Sequence, residues 1–204
     1  RVLFRSSTAV SGIVGRARGF AATNAEVDLT LAATWYSANL PALTLSLWAK
    51  PDPVPSSLGT VFGVGATVAS NALYLAMNTT PRVLKWSAGL GAQETAGPTY
   101  DVGVWQQVAL VLSNGVAYLQ KNDGALQMLG AYGAIAPTNA PVLGRRAGVG
   151  LPFAGVIDEV RLTRAPRSAA WLRAAYRTVA QPAFTGYGVV EARSEEHTSE
   201  LQSP

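Results

Sequence analysis

The clearest pattern in the chain is an alternation of apolar and polar residues over 43–50. Leu43, Leu45 and Leu47 fall on one face of an extended chain, and the residues between them fall on the other. A period of two predicts a half-buried β-strand. We expect this strand to end at residues 51–55, where three prolines lack the N–H groups that a sheet requires.

Short apolar runs separated by turn residues predict further strands at 60–64, 72–77, 83–87, 106–112, 116–120, 126–132, 141–143 and 156–162. The dipeptide Asn114-Gly115 lies between two of these runs, and Asn-Gly supplies the positive φ angles of a tight hairpin. Residues 122–124, Asn-Asp-Gly, carry a second turn signal of this kind one strand later. Two consecutive hairpins predict an antiparallel meander, and the absence of alternating strands and helices argues against a parallel α/β sheet.

One helix is predicted near the end of the chain. Ser168 is a suitable N-cap for residues 169–176. Within them Trp171, Leu172 and Tyr176 lie on one helical face, which predicts that the helix packs on the body of the protein. A last apolar stretch, residues 184–190, is expected to return as an edge strand.

Composition narrows the function classes. Hydrophobic residues make up 49% and charged residues 14% of the 204 residues, which is typical of a compact, turn-rich globule. The absence of cysteine excludes disulfides, thiolate nucleophiles and Cys-ligated metals. The net charge of +4 is dispersed, so we predict no nucleic-acid partner. No apolar run approaches the roughly 20 residues that span a bilayer, so no membrane span is expected in this chain.

Both ends differ from the body in composition. Residues 1–6 and 193–204 resemble translated sequencing-adaptor read-through, and the polar tail holds His197, the one histidine of the chain. We therefore predict a single domain over residues 7–191, with residues 1–6 and 192–204 as non-native flanking segments. These flanks are expected to contribute nothing to stability.

Seven short motifs follow one another in a distinctive order, at residues 12–20, 27–29, 43–51, 105–111, 142–145, 153–162 and 165–171. The most specific is Phe-Ala-Gly-Val-Ile-Asp-Glu-Val-Arg-Leu, which occupies residues 153–162. In this order the motifs resemble the strands and C-terminal helix of bacterial laminin-G-like domains, which are concanavalin A-like jelly rolls. The resemblance implies an all-β fold, a two-sheet antiparallel jelly-roll sandwich with one short C-terminal helix.

Two departures from the family bear on calcium. Members often carry Phe-Asp-Gly in the opening strand and again before Ile-Asp-Glu, whereas Ala21 and Ala154 occupy those aspartate positions here. Asp158 and Asn24 remain as weak calcium candidates. Because calcium affinity depends on ligand charge, we predict no tight calcium site and no other cofactor. Asp158 is expected to share a face with inward-pointing Val156 and Val160 and to be held by protein hydrogen-bond donors.

The candidates for catalysis are few. With His197 in the tail and no cysteine, the body cannot assemble a Ser/His triad, a Cys/His pair or a typical zinc site. A glycosidase needs two suitably spaced carboxylates, but Asp158 and Glu159 are adjacent and should point to opposite faces of a strand. Glu26 and Asp28 share a face without the usual third carboxylate. We therefore predict no catalytic residues and no enzyme, and glycoside hydrolysis is the least favoured alternative.

Exposed aromatic rings are the other candidate site, because sugars commonly stack on them. Trp35, Tyr36 and Trp86 are the predicted ligand-binding residues, while Trp48 is either a platform or the packing surface for the terminal helix. We expect a module that recognises a glycan or an extracellular protein, within a larger secreted or surface protein. An architectural or adhesion spacer without a small ligand is the second hypothesis.

Overall fold

The structure is a computed structural model that describes residues 2–5, 7–21, 25–29, 42–52, 58–65, 72–88, 95–135, 140–146 and 150–184. These residues form two antiparallel sheets of seven strands each. The front sheet contains, in spatial order, β1 (Val2–Arg5), β4 (Glu26–Leu29), β13 (Val142–Leu143), β6 (Leu58–Val64), β7 (Leu73–Thr79), β8 (Arg82–Ala88) and β9 (Thr95–Thr99).

The back sheet contains, in spatial order, β12 (Gln127–Ala131), β11 (Val116–Lys121), β10 (Gln106–Ser113), β5 (Leu43–Pro51), β14 (Gly155–Thr163), β3 (Arg16–Phe20) and β2 (Thr8–Ser11). The two sheets enclose one main hydrophobic core, to which both contribute buried leucine, valine and aromatic side chains. The predicted all-β sandwich with one short C-terminal helix is therefore confirmed.

The alternating strand at residues 43–50 lies at the centre of the back sheet, where β5 pairs with β10 on one side and β14 on the other. Leu45 and Leu47 point into the core, as predicted. The polar face, however, is buried as well, because the chain after β14 crosses it. The Thr44 hydroxyl donates to the Ala165 carbonyl at 2.8 Å and accepts from the Arg167 N–H at 2.9 Å.

Helix α1 (Ala169–Ala180) covers the same outer face of the back sheet. Ser168 caps it as predicted, since its hydroxyl accepts the Trp171 N–H at 3.2 Å. Leu172 is buried against β10, and the Tyr176 ring stacks on Trp48 with ring centroids 5.4 Å apart. Trp48 is therefore the packing surface for the helix, which decides between its two predicted roles.

The predicted meander is confirmed by the order β10, β11, β12 in the back sheet. Asn114 and Gly115 turn the chain between the first two strands with φ angles of 50° and 77°. Asn122, with φ of 54°, begins the next turn. These positive angles are the ones that the Asn-Gly signals predicted.

The two ends of the chain differ from expectation in different ways. Residues 1–6 were expected to lie outside the fold, but Val2–Arg5 pairs antiparallel with β4. The free edge of β4 offers backbone donors and acceptors to any short extended segment. At the other end Phe184 lies in a 3₁₀ turn, Pro182–Phe184, and residues 185–204 lie outside the described residues. Within the described chain no helix is long and apolar enough to cross a membrane.

Candidate functional site

The predicted aromatic site is not assembled in the described part of the chain. Trp86 is only 2% exposed and lies in the main core, so its predicted exposure is wrong. Leu84 and Trp86 both point inward, while Lys85 between them points out. That alternation was visible in the sequence and indicated a buried ring. Trp35 and Tyr36 lie outside the described residues.

Asp158 is buried, and its carboxylate is held by backbone donors. Oδ2 accepts the Val14 N–H at 3.1 Å, and Oδ1 accepts the N–H of Glu159 at 2.8 Å. The expectation that protein donors would hold Asp158 is confirmed. Asn24, its suggested partner for calcium, lies outside the described residues. Among the described residues there is no cluster of three or more His, Cys, Asp or Glu side chains that suits a metal ion.

A β-bulge sets the direction in which Asp158 points. The register of β14 against β5 shifts between Asp158 and Arg161, and Glu159 takes a left-handed φ of 48°. Asp158 pairs with Trp48 on the outer face, whereas Val160 packs against the core. The expectation that Asp158 shares a face with Val160 is therefore wrong. The bulge is an extra residue that reverses the alternation.

Glu159 and Arg161 form an ion pair, with Nη2 of Arg161 2.7 Å from Oε2 of Glu159. The position of Asp158 requires a glycine at residue 12, because a Cβ there would collide with Oδ2 of the aspartate. Gly12 opens the turn that joins β2 and β3, where its N–H donates to the Gly15 carbonyl at 3.0 Å. Asp158 therefore fixes this turn against β14.

An open cleft of about 410 Å³ lies beside this turn, between β4 and β13 of the front sheet and β2, β3 and β14 of the back sheet. We call it the edge cleft. Aliphatic side chains from β4, β13 and β14 line it, among them Leu29. Ala9 of the edge strand β2 lines it as well, together with Arg16, Arg18 and Glu159. The cleft thus combines an apolar surface with charged groups, as ligand sites commonly do.

Two arginines and two acidic residues line the edge cleft. Its two acidic groups have hydrogen-bond partners, since Asp158 accepts backbone N–H groups and Glu159 pairs with Arg161. Arg16 is exposed and Arg18 half-buried, and each guanidinium carries five N–H donors. The arrangement suits a ligand with several oxygen acceptors. Sequence reasoning missed both arginines, because they join this cleft only through the pairing of β3 with β14.

A second polar region lies on the outer face of the front sheet. Arg145 forms an ion pair with the buried carboxylate of Glu26. The guanidinium carbon of Arg146 lies 3.9 Å above the centre of the Tyr74 ring. The sequence marked these arginines only as a basic doublet, and nothing in the spacing indicated that one of them is buried.

A laminin G family model, described as "Concanavalin A-like lectin/glucanases superfamily", matches residues 22–173. The resemblance drawn from the ordered motifs is thereby confirmed. A search of curated protein sequences gives no match.

Many solved structures share the fold. Domain 4 of AbnA, a GH43 extracellular arabinanase from Geobacillus stearothermophilus in complex with arabinotriose, is 16% identical with a TM-score of 0.63, over 84% of this chain and 82% of that one. The binding domain of Paraclostridial Mosquitocidal Protein 1 is 8% identical with a TM-score of 0.68, over 87% of this chain and 47% of that one. Trypanosoma rangeli sialidase is 12% identical with a TM-score of 0.63, over 91% of this chain but 30% of the sialidase. At these identities the likeness shows the fold alone.

Proposed function

The chain belongs to the concanavalin A-like lectin/glucanases superfamily, and from that premise we propose that it is a non-catalytic module that binds a glycan in the edge cleft. The observation that carries this proposal is the cleft itself, with its apolar lining and the guanidinium groups of Arg16 and Arg18. Sugars present apolar C–H faces and many hydroxyl oxygens, so they match such a surface. The arabinotriose complex of AbnA Domain 4 supports carbohydrate ahead of protein as the ligand.

The carboxylates of the cleft favour binding over hydrolysis. A glycosidase needs one carboxylate as acid and a second as base or nucleophile, both turned towards the sugar. Here Asp158 is occupied by two backbone N–H groups, and Glu159 by Arg161. Neither is placed to transfer a proton to a bound glycan. We propose an extracellular or cell-surface location for the module, in keeping with the extracellular arabinanase that contains a similar domain.

A blocking substitution tests the proposed site. Ala9 is exposed at the mouth of the edge cleft on β2, so Ala9→Trp should fill the entrance. Ala131 is also exposed, on β12 at the opposite edge of the back sheet, so Ala131→Trp is a matched control. We expect the unmodified protein to bind at least one glycan on an array that includes arabino-oligosaccharides. Calorimetric titration with that glycan should show binding at least about tenfold weaker in Ala9→Trp.

Three results would count against this proposal. Equal binding by Ala9→Trp and the unmodified protein would move the site away from the cleft. Equal weakening by both tryptophan variants would indicate a general disturbance of the sheet. Binding to no glycan on the array would favour the architectural spacer instead.

A further inference from the structure

On the outer face of the front sheet, the polar side chains of Tyr74 and Thr60 are buried beside each other. Tyr74 pairs with Gly63, and Thr60 with Ala76, on neighbouring strands β7 and β6. Tyr74 and Ala76 form a small cluster separate from the main core. Because the strand neighbours of Tyr74 point into the core, Tyr74 points away from it. Thr60 shares this outer face through its pairing with Ala76.

Arg146 lies over the same face, next to Gly63. A Cβ at Gly63 would lie 3.6 Å from the Arg146 Cα and 3.6 Å from the Thr60 Cγ2. Arg146 and Thr60 are therefore neighbours across the glycine. Reciprocal backbone hydrogen bonds with Gly150, of 2.9 and 3.2 Å, hold Arg146 in position. The guanidinium of Arg146 lies over the Tyr74 ring, with its carbon 3.9 Å from the ring centre.

Within the part of the chain that the structure describes, two polar atoms at this place have no hydrogen-bond partner. Arg146 is 3% exposed and Thr60 fully buried. Nη2 of Arg146 and Oγ1 of Thr60 are both shielded from solvent and without a partner. The adjacent Arg145 is neutralised by Glu26. Among the described residues no carboxylate lies within ion-pair distance of Arg146.

The guanidinium of Arg146 carries a positive charge in addition to its unpaired N–H donor. A guanidinium stays protonated in proteins, and a buried charge without a counter-charge is strongly unfavourable. Contact with the Tyr74 ring offsets part of that cost. A neutral hydrogen-bond acceptor would satisfy Nη2 but leave the positive charge in place. An anion satisfies the donor and the charge together.

We propose that a small anion, a halide or a small carboxylate such as formate, binds between Nη2 of Arg146 and the hydroxyl of Thr60. The guanidinium and the hydroxyl both donate to it. Because the surrounding chain covers both atoms, the site excludes large anions. It lies on the opposite side of the front sheet from the edge cleft, so it is independent of the proposed glycan site.

Melting in different salts tests the site, because a ligand that binds only the folded state raises the thermal midpoint. Chloride or formate replaces the bulky sulfonate HEPES at constant ionic strength. We expect the midpoint of the unmodified protein to rise by several degrees, and that of Arg146→Gln to stay constant. Arg164→Gln removes the same charge from an exposed position, so this control should rise like the unmodified protein.

The proposal is overturned if the unmodified protein melts at one temperature in all three salts, or if Arg146→Gln responds as Arg164→Gln does. If Arg146→Gln does not fold, Thr60→Val serves instead, since it removes the hydroxyl without changing charge or shape. Its midpoint should rise clearly less than that of the unmodified protein, and an equal rise would contradict the two-atom site. Crystals grown in bromide should show an anomalous peak beside Arg146 Nη2, and its absence at saturating bromide would also overturn the site.

Discussion

At the scale of single residues, Asp158 joins two parts of the back sheet that are distant in sequence. Its carboxylate holds the turn between β2 and β3 through the Val14 N–H, and it holds its own strand at the bulge through Glu159. The side chain is 8% exposed. Charged acceptors of backbone N–H groups form stronger hydrogen bonds than neutral acceptors. The residue therefore fixes the turn between β2 and β3 beside the edge cleft.

We predict that Asp158→Ala lowers the free energy of unfolding by roughly 1–3 kcal/mol, because two partly buried backbone N–H groups lose their charged acceptor. Urea unfolding measures the change. Asp101→Ala is the control, since the side chain of Asp101 is exposed and pairs with Lys121 at 3.3 Å, and this substitution should cost less than about 1 kcal/mol. Similar losses in both variants would contradict a structural role for Asp158.

Tyr100 makes the free energy of unfolding fall as the pH rises in the alkaline range. Burial raises the pKa of its hydroxyl, and the positive charge of Arg82 opposes this rise. The unfolded chain therefore ionises first, near pH 10. The contribution of Tyr100 to stability is intact below that pH and is lost as the pH rises through the folded-state pKa.

We predict that the free energy of unfolding falls less steeply above about pH 10 in Tyr100→Phe than in the unmodified protein, because phenylalanine does not ionise. Urea unfolding at several alkaline pH values measures both slopes. Parallel pH profiles of the two proteins would show that burial of this hydroxyl does not control the loss of stability at alkaline pH.

At the scale of the elements, helix α1 is held by its aromatic contact with the back sheet. The Tyr176 and Trp48 rings are nearly parallel, with an angle of 15° between their planes. Arg167, just before the helix, lies over the Trp171 ring at 4.9 Å. The helix therefore shields the centre of the back sheet from water on the side away from the core.

We predict that Tyr176→Ala lowers the free energy of unfolding by about 2 kcal/mol, from lost apolar burial and lost ring stacking. Arg173→Ala lies on the exposed face of the same helix and should change stability by less than about 0.5 kcal/mol. Denaturant unfolding of both variants measures this difference, and equal effects would mean that the helix is not anchored through Tyr176.

Strands with strong apolar alternation were predicted well, and weak edge strands were not. The prediction for 106–112 differs from β10 by one residue, and the hairpin turns follow from Asn-Gly chemistry. β9 was missed because Thr-Ala-Gly-Pro-Thr carries no apolar alternation and forms only by pairing with β8. The edge cleft was missed for a related reason, since strand register decides which arginines meet. The face of β14 was also predicted wrongly before the bulge, since Val156 was expected to point inward, whereas Ile157 is the residue that lies in the core.

At the scale of the whole molecule, the N-terminal residues complete the edge of the front sheet. The backbone of Val2–Arg5 pairs with β4 over four residues, and β2 then pairs with β3 in the back sheet. One short stretch of chain thus borders both sheets beside the edge cleft. The backbone of Val2–Arg5 occupies an edge that would otherwise be free.

We predict that deleting residues 1–6 lowers the thermal midpoint by a few degrees, because β4 loses its outer partner. Deleting residues 193–204 is still expected to leave the midpoint unchanged. Differential scanning calorimetry of the two truncated proteins measures both effects. A midpoint unchanged by the first deletion would show that the pairing of Val2–Arg5 adds no stability.

Calcium takes about six to eight oxygen ligands, so a calcium site in this fold would draw its ligands from several strands. Ala21 and Ala154 replace two family carboxylates, and backbone donors already occupy Asp158. We predict superimposable melting curves in millimolar calcium and in excess chelator. A calcium-dependent rise of several degrees that Asp158→Ala abolishes would show that a calcium site survives.

The position of β5 and β14 at the centre of the back sheet has a consequence for how the protein is made. These strands pair with each other although roughly a hundred residues separate them along the chain, and such distant pairing slows folding. On the ribosome, β5 emerges long before its partner, with its leucines exposed to water. The nascent chain therefore passes through a long interval in which it is prone to aggregate. A chaperone that shields β5 during this interval should raise the yield of folded protein.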